Sequence, residues 1–237
     1  MDDAQVSLVT GASRGIGRAI AIKLAGEKHK LAIFGRDKEK IEQTVETIKK
    51  MGSEALPFIG DVADPMFVNE AVNQVLLSFG KVDNLINNAG IGIFKKFIDS
   101  SLEEFKKQIE VNVYGIYNFT KAVIDNMISN NSGTIINISS LAGKNGLAYG
   151  TMYSASKHAV MGFSKSLMHE VREFNIRVVT VCPGSVATEF ISGTEIEPRN
   201  LEKVLSAEDI AEVVASIINL PMRATVSEIE IRPTNPK

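Results

Sequence analysis

The feature that most constrains the fold of this chain is a regular alternation of short apolar runs with longer amphipathic segments. Apolar runs of this length are typical of buried strands, and the intervening segments have apolar residues at helical spacing. We predict strands over 6–10, 30–34, 55–60, 82–87, 133–139, 176–182 and 227–232. We predict helices over 16–27, 38–52, 65–80, 101–129, 153–174 and 206–220.

This order predicts an α/β fold with a doubly wound parallel sheet covered by helices on both faces. Strands separated by helices of this length imply right-handed βαβ crossovers. Since no proline-rich linker, repeat or low-complexity stretch divides the chain, we expect a single domain over 1–237. Ligands of such sheets bind beyond the carboxyl ends of the strands, so the segments after the strands are the candidate site.

Composition excludes several classes of function. A formal net charge of -2 over 237 residues gives no indication of a nucleic-acid or membrane partner. Cys182 is the only cysteine, which excludes an internal disulfide, suits a cytoplasmic protein, and predicts a small buried side chain. The sequence shows no signal peptide or membrane span. The three histidines do not lie at ligand spacing, so we expect no metal site.

A glycine-rich turn, "TGASRGIG" at residues 10–17, directly follows the first predicted strand and precedes the first helix. Its glycines, Gly11, Gly15 and Gly17, permit unusual backbone angles and let a phosphate approach the main chain. The helix that follows would present its N-terminus to a pyrophosphate. The spacing is G-x-x-x-G-x-G rather than the common G-x-G-x-x-G.

This spacing resembles that of the short-chain dehydrogenase/reductase family, and further motifs follow in the family's order. They are "NNAG" at 87–90, Asn112, Ser140 thirteen residues before Tyr153, Tyr153-x-x-x-Lys157, and Pro183-Gly184 followed by Thr188. The matches cover nearly the whole chain. The resemblance implies a Rossmann-type fold and an oxidoreductase that uses a nicotinamide dinucleotide.

The resemblance also implies which residues bind the cofactor. They are Gly11, Ser13, Arg14, Gly15, Ile16, Gly17, Arg36, Asp61, Val62, Asn88, Ala89, Gly90, Tyr153, Lys157, Pro183, Gly184, Val186 and Thr188. Asp61 and Val62 would border the adenine.

The residues after the second strand predict NADP(H) rather than NAD(H). NAD enzymes usually have an acidic residue there, which binds the ribose hydroxyls. By alignment to the family, that position is Gly35, followed by Arg36, whose guanidinium suits a 2′-phosphate. Arg14 in the glycine-rich turn would add a second positive group. A shift of one residue would instead bring Asp37 to the ribose, and Arg36 would then be a solvated loop charge.

The catalytic residues implied by the resemblance are Asn112, Ser140, Tyr153 and Lys157. Reduction of a ketone needs an acid for the carbonyl oxygen and a donor that polarises it. Tyr153 and Lys157 share one helix face, and we expect the ammonium and the positive nicotinamide ring to lower the pKa of Tyr153. Ser140 would orient the carbonyl, Lys157 would also bind the nicotinamide ribose, and Asn112 would hold a relay water. Adjacency leaves Ser139 as a rival to Ser140, although the spacing favours Ser140.

The substrate pocket is expected to be mostly apolar, with residues 189–205 forming a short lid. Candidate lining residues are Ile91, Ile93, Phe94, Leu141, Leu147, Tyr149 and Phe190. Any of them could instead pack in the core or at a subunit contact.

The specific activity has several alternatives. An NADPH-dependent carbonyl reductase leads, with 3-oxoacyl-carrier-protein reductase and sepiapterin-type reductase as narrower readings. The ending "ATVSEIEIRPTNPK" departs from the Thr-Gly … Gly-Gly segment of the first of these and is more like sepiapterin and small hydroxy-acid reductases. A non-catalytic NADP sensor and an epimerase or dehydratase are the other classes. The resemblance also implies a homodimer or homotetramer, paired through the long helices after the fourth and fifth strands.

Overall fold

The computed structural model describes residues 4–198 and 200–235, so the ends of the predicted range 1–237 and Arg199 of the predicted lid lie outside it. Its sheet has seven parallel strands in the order β3-β2-β1-β4-β5-β6-β7, which confirms the predicted α/β fold. The strands are β1 (Val6–Thr10), β2 (Lys30–Gly35), β3 (Ala55–Ile59), β4 (Asn84–Asn87), β5 (Gly133–Ile138), β6 (Ile176–Pro183) and β7 (Glu228–Ile231).

The described residues form seven α-helices between these strands, close to the predicted positions. They are α1 (Gly15–Gly26), α2 (Lys38–Lys50), α3 (Pro65–Phe79), α4 (Leu102–Ile109), α5 (Gly115–Ser129), α6 (Thr151–Val171) and α7 (Ala207–Ile218). The strand order reverses between β1 and β4. From β1 the chain continues through α1 to β2 on one side, whereas α3 returns it from β3 to β4 on the other side of β1. A crevice forms beyond the strand ends at such a reversal.

Hydrophobic side chains cover both faces of the sheet, because successive residues of a strand point to opposite sides. On one face, Val9 and Ile33 pack with residues of α1, α2 and α7. On the other face, Leu8 and Phe34 pack with residues of α3 and α5. Cys182 is buried at the end of β6, as the sequence predicted.

The long helix predicted over 101–129 is not continuous. It consists of α4 and α5 joined by one π-helical turn, Glu110–Tyr114. Asn112 lies in this turn and points towards the segment after β4, where its side chain hydrogen-bonds both the N–H and the C=O of Ile91. Hydrophobic spacing alone does not reveal such a turn, because the apolar face continues through it.

The helices differ in how their N-termini are satisfied. Asp37, Asp64, Ser101 and Ser206 accept backbone N–H groups at the starts of α2, α3, α4 and α7. At the start of α1, the N-cap is Arg14, and no side-chain cap is present among the described residues. The starts of α5 and α6 also lack a side-chain cap. Because α1 directly follows the glycine-rich turn, its first backbone N–H groups are available to an anionic ligand there.

Neither a membrane span nor a metal cluster is found in residues 4–198 and 200–235. No helix in these ranges is both long and apolar enough to cross a bilayer. No group of three histidine, cysteine or carboxylate side chains there could hold a metal ion.

Candidate active site

A cavity of about 790 Å³ lies beyond the carboxyl ends of the strands and collects most of the predicted site residues. The predicted residues that line it are Gly11, Ser13, Arg14, Gly15, Ile16, Arg36, Asp61, Val62, Asn88, Ala89, Gly90, Ile91, Phe94, Ser140, Leu141, Leu147, Tyr153, Lys157, Pro183, Gly184, Val186, Thr188 and Phe190. Four others, Gly17, Ile93, Asn112 and Tyr149, lie outside the described lining.

The glycine-rich turn is held against the segment after β4. The Asn88 side chain donates to the carbonyls of Thr10 and Gly11, and the Thr10 hydroxyl accepts the backbone N–H groups of Asn88 and Ala89. Gly11 has a φ of 67°, and a Cβ there would lie 2.9 Å from the Ala89 Cα. The turn therefore forms a narrow backbone cradle, which fits a dinucleotide phosphate at the open N-terminus of α1.

Gly17 serves packing rather than the cavity wall. A Cβ at this position would lie 2.3 Å from the carbonyl oxygen of Gly11 and 2.5 Å from the Asn88 side-chain nitrogen. The helix can approach the turn this closely only because residue 17 has no side chain.

Positive side chains gather where β2 ends and α2 begins. Arg36 follows Gly35, and its Nη1 lies 4.0 Å from Oδ2 of Asp61. The Asp37 carboxylate caps α2 by accepting the backbone N–H of Lys40. The sequence prediction did not include Lys40; its place in the first turn of α2, four residues after Arg36, was the available signal.

Ser140, rather than Ser139, reaches the tyrosine. The Ser140 side chain lies close enough to the Tyr153 phenol to lower its pKa, and its hydroxyl accepts the backbone N–H of Ala142. Ser139 is turned towards the backbone of α6, where its hydroxyl donates to the Lys157 carbonyl. The geometry therefore agrees with the thirteen-residue spacing.

Lys157 lies beneath Tyr153 and is pinned to the end of β5. Its Nζ donates to the Ile138 carbonyl at 2.8 Å and lies 5.8 Å from the centroid of the Tyr153 ring. Because burial disfavours the ammonium, the pKa of Lys157 is lowered to about 8.

Burial of the Tyr153 phenol opposes the lowering of its pKa that we expect from the ammonium and the nicotinamide ring. Burial raises this pKa to about 12, and the nearby Ser140 side chain opposes the rise. Burial prevails because the ring is only 7% exposed and a phenolate there would lose its hydration. Tyr153 is consequently protonated at neutral pH, which is the form that a general acid requires.

Asn112 is fully buried and holds the segment after β4, which explains why it lies outside the cavity lining. Besides its two bonds to Ile91, its amide donates to the Ser156 hydroxyl of α6. The Asn112 Oδ1 and the Lys157 Nζ lie 3.2 and 3.7 Å from the point where a Cβ on Gly90 would be. Gly90 therefore keeps open the space between the two polar groups.

The other end of the cavity is aromatic and apolar. The rings of Phe94 and Phe190 lie 5.1 and 5.8 Å from the Tyr153 ring, measured between centroids. Ile191 and Ile196, from the predicted lid, pack in the same cluster. These two lid residues were not among the predicted lining residues, because short loops have no periodicity that reveals their buried side.

Ile93 and Tyr149 belong to the supporting frame instead. The backbone N–H of Ile93 donates to Gln108, and the Tyr149 carbonyl accepts the N–H of Lys95. Tyr149 has a φ of 63°, and its side chain is 37% exposed. These bonds hold the two segments, and neither side chain lies in the described lining.

The base of the predicted lid is closed by the backbone. Leu205 pairs with the segment after β6, as its N–H donates to Ser185 and its carbonyl accepts the N–H of Ala187. The described part of 189–205 therefore leaves and rejoins the sheet at one place, next to Thr188.

A phosphate cradle, a proton donor and an adjacent buried lysine around one cavity are the parts that hydride-transfer chemistry on a carbonyl requires. Residues 5–197 match the model of the short chain dehydrogenase family, and the chain belongs to that family. It is an oxidoreductase that acts on CH–OH or C=O groups, and its cofactor is a nicotinamide dinucleotide.

Individual relatives agree with this class. An uncharacterized oxidoreductase of Thermotoga maritima is 37% identical over 201 residues, covering 85% of this chain and 79% of the relative. An alcohol dehydrogenase of the archaeon Thermococcus sibiricus, solved with 5-hydroxy-NADP, superposes with a TM-score of 0.90 at 32% identity, covering 98% of this chain and 97% of that one. The structure of NAD+-bound xylitol dehydrogenase superposes with a TM-score of 0.88 at 29% identity, covering 97% of this chain and 98% of that one.

Proposed function

We propose that this protein is an NADP(H)-dependent oxidoreductase that interconverts a ketone and a secondary alcohol, with Tyr153 as the general acid and base. The observation that carries the proposal is that Ser140, Tyr153 and Lys157 meet at one cavity wall, with the Lys157 Nζ 5.8 Å from the centroid of the Tyr153 ring. When bound, the cofactor supplies or accepts the hydride at the carbonyl carbon. Tyr153 donates its proton to the carbonyl oxygen in reduction and removes it in oxidation.

The neighbouring side chains support that proton transfer. Ser140 donates a hydrogen bond to the substrate oxygen and stabilises the negative charge that develops there. Lys157 binds the nicotinamide ribose and places its positive charge near the phenol. Asn112 supports a proton relay from Lys157 across the space beside Gly90.

The preference for NADP(H) rests on charge. Arg14 and Arg36 line the cavity with Gly35, which offers no carboxylate to repel a 2′-phosphate. Lys40 lies in the first turn of α2, and its Nζ is 3.6 Å from the Glu189 carboxylate. Asp37, the alternative ribose partner, is engaged in capping α2. The two solved relatives described above carry different nicotinamide cofactors, so the likeness to them favours neither, and the local charges support NADP(H).

The proposed substrate is a ketone with apolar substituents, because Phe94, Phe190 and Ile191 surround the phenol. A 3-oxoacyl thioester and a sepiapterin-like pterin are narrower proposals within this class. A non-catalytic NADP sensor would not need the tyrosine, lysine and serine that meet at this cavity.

A cofactor-oxidation screen tests the function. NADPH and NADH would each be combined with acetoacetyl thioesters, sepiapterin and apolar diketones, and hydroxy acids would be tried in reverse with the oxidised cofactors. We expect turnover with NADPH and an apolar ketone. Tight NADPH binding with no turnover across the screen would favour the sensor, and a preference for NADH would refute the NADP(H) proposal.

We also propose a cytoplasmic homodimer or homotetramer. Tyr114 and Tyr117 lie half-exposed near the start of α5, which belongs to one of the two helices through which pairing was predicted. Light scattering coupled to gel filtration would test it; a Tyr117→Lys variant should lower the mass if this face is the interface. A wild-type monomer would refute the assembly.

A further inference from the structure

The carboxylate of Glu189 is held by two cations at the cofactor mouth of the cavity. Its Oε2 lies 2.5 Å from Nη1 of Arg14 and 3.6 Å from Nζ of Lys40. Arg14 belongs to the glycine-rich turn and Lys40 to the first turn of α2, so the two cations approach from different elements. Glu189 comes from a third element, since it is the first residue of the predicted lid.

Together with Arg36, these cations are the ones that we propose bind a 2′-phosphate on the adenosine ribose. Gly35, at the end of β2, lies against the turn that carries Arg14, since a Cβ on Gly35 would be 3.5 Å from the Ser13 Cβ. The glycine-rich turn and the end of β2 therefore bound one pocket, where the ribose is held in a fold of this type. The third nearby cation, Arg36, already faces a carboxylate, that of Asp61.

The position of Glu189 is set by its neighbour. A Cβ on Gly15 would lie 3.4 Å from the Thr188 methyl, so Thr188 packs on the glycine-rich turn. The carboxylate that follows is consequently presented to Arg14 from the side of the lid. The side chains of Arg14 and Glu189 are 59% and 61% exposed. Arg14 can therefore exchange the Glu189 carboxylate for another anion without opening the core.

We infer that Glu189 is a specificity-determining residue that competes internally with the 2′-phosphate for Arg14 and Lys40. The inference rests on the proposed use of NADP(H). A 2′-phosphate carries more negative charge than a carboxylate and offers three acceptor oxygens, so it displaces Glu189. NADH has no group that takes the place of Glu189, and the internal pair persists when NADH binds.

Dissociation constants of Glu189→Gln test this inference. Calorimetric titrations would use NADPH, NADH, adenosine 2′,5′-bisphosphate and 5′-AMP, so that binding is measured without turnover. The control is Glu195→Gln, which removes the same charge from an exposed position of the same segment. Because the pair is solvent-exposed, we expect Glu189→Gln to tighten NADPH and the bisphosphate by about three- to ten-fold, with NADH and 5′-AMP within about two-fold.

Two results would overturn the inference: unchanged NADPH affinity in Glu189→Gln, or an equal gain for both members of each nucleotide pair. An equal gain in Glu195→Gln would also overturn it, since the effect would then be one of net charge. The wild-type measurements judge the NADP(H) proposal separately. If wild type prefers NADH while Glu189→Gln selectively tightens the bisphosphate, the inference stands and the NADP(H) proposal fails.

Discussion

The two ends of the cavity are built in different ways. At the cofactor end, backbone and glycines make the shape, and the side chains that carry charge, such as Arg14 and Glu189, are exposed. At the catalytic end, the functional groups of Tyr153 and Lys157 are buried. Burial raises the pKa of the Tyr153 phenol and lowers the pKa of the Lys157 ammonium.

This difference predicts how strongly each end responds to change. Charges in solvent interact weakly and are screened by salt, whereas groups removed from water interact strongly with whatever lies beside them. Substitutions should therefore have large effects on the chemical step at the buried end, and smaller, salt-sensitive effects on cofactor choice at the exposed end.

Tyr153→Phe should lower kcat by about 10³-fold, because the variant loses the proton donor. The ring remains, so its packing on Phe94 and Phe190 is kept and the cofactor dissociation constant should stay within about two-fold. Steady-state rates and a titration with NADPH measure the two quantities. Near-normal turnover would refute the role of Tyr153 as the proton donor. The catalytic end would then respond no more strongly to substitution than the cofactor end.

Gly17→Ala should destabilise the protein by about 1–3 kcal/mol, because its Cβ would overlap the Gly11 carbonyl. Cofactor binding should weaken with it, since the turn must move. Thermal unfolding and NADPH titration measure both effects. Gly26→Ala, in the same helix, is the control, as its Cβ would make an ordinary contact 3.7 Å from Met51. Equal behaviour of the two variants would show that backbone packing does not define the cofactor end.

The rate of ketone reduction should fall as pH rises through about 8, the pKa of Lys157. Above that pH the ammonium loses its proton, and kcat/KM should fall by about ten-fold for each further pH unit, because it reports groups of the free enzyme. A pH profile of kcat/KM between pH 6 and about 10 tests this. A flat profile across that range would mean that the charge of Lys157 is not required.

Arg36→Gln should weaken NADPH binding by about three- to ten-fold and leave NADH within about two-fold, because the exposed guanidinium contributes a screened interaction. Raising the salt concentration should reduce the difference between wild type and variant. Titrations with NADPH and NADH at two ionic strengths measure these affinities. Lys38→Gln is the control, because Lys38 is exposed and lies two residues further along, at the start of α2. A loss of NADPH affinity that persists at high salt would contradict the weak, solvent-exposed character of this end.

Much of the fold was predictable because its signals are local. Apolar runs placed the strands within a few residues, and Gly80 ends α3 with a φ of 82°, as its position after the apolar pattern suggested. The π-helical turn at 110–114 was not predictable, since its Asn112 accepts the N–H of Ile91, a residue 21 positions away in the chain, and local spacing carries no sign of such a contact. The positions of Ile93 and Tyr149 were also missed, because backbone bonds rather than residue type decide which way those segments face.

The sequence by itself determined the family, the sheet with its crossovers, and the identity of the candidate tyrosine, lysine and serine, because each depends on residue type at a given spacing. Only the tertiary structure decided which serine meets Tyr153, which way the pKa values move, and which carboxylate meets Arg14 and Lys40. Those outcomes depend on burial and on distances between elements far apart in the chain. Arg14 and Glu189 are 175 positions apart in the sequence, yet Nη1 of Arg14 lies 2.5 Å from Oε2 of Glu189 in the fold.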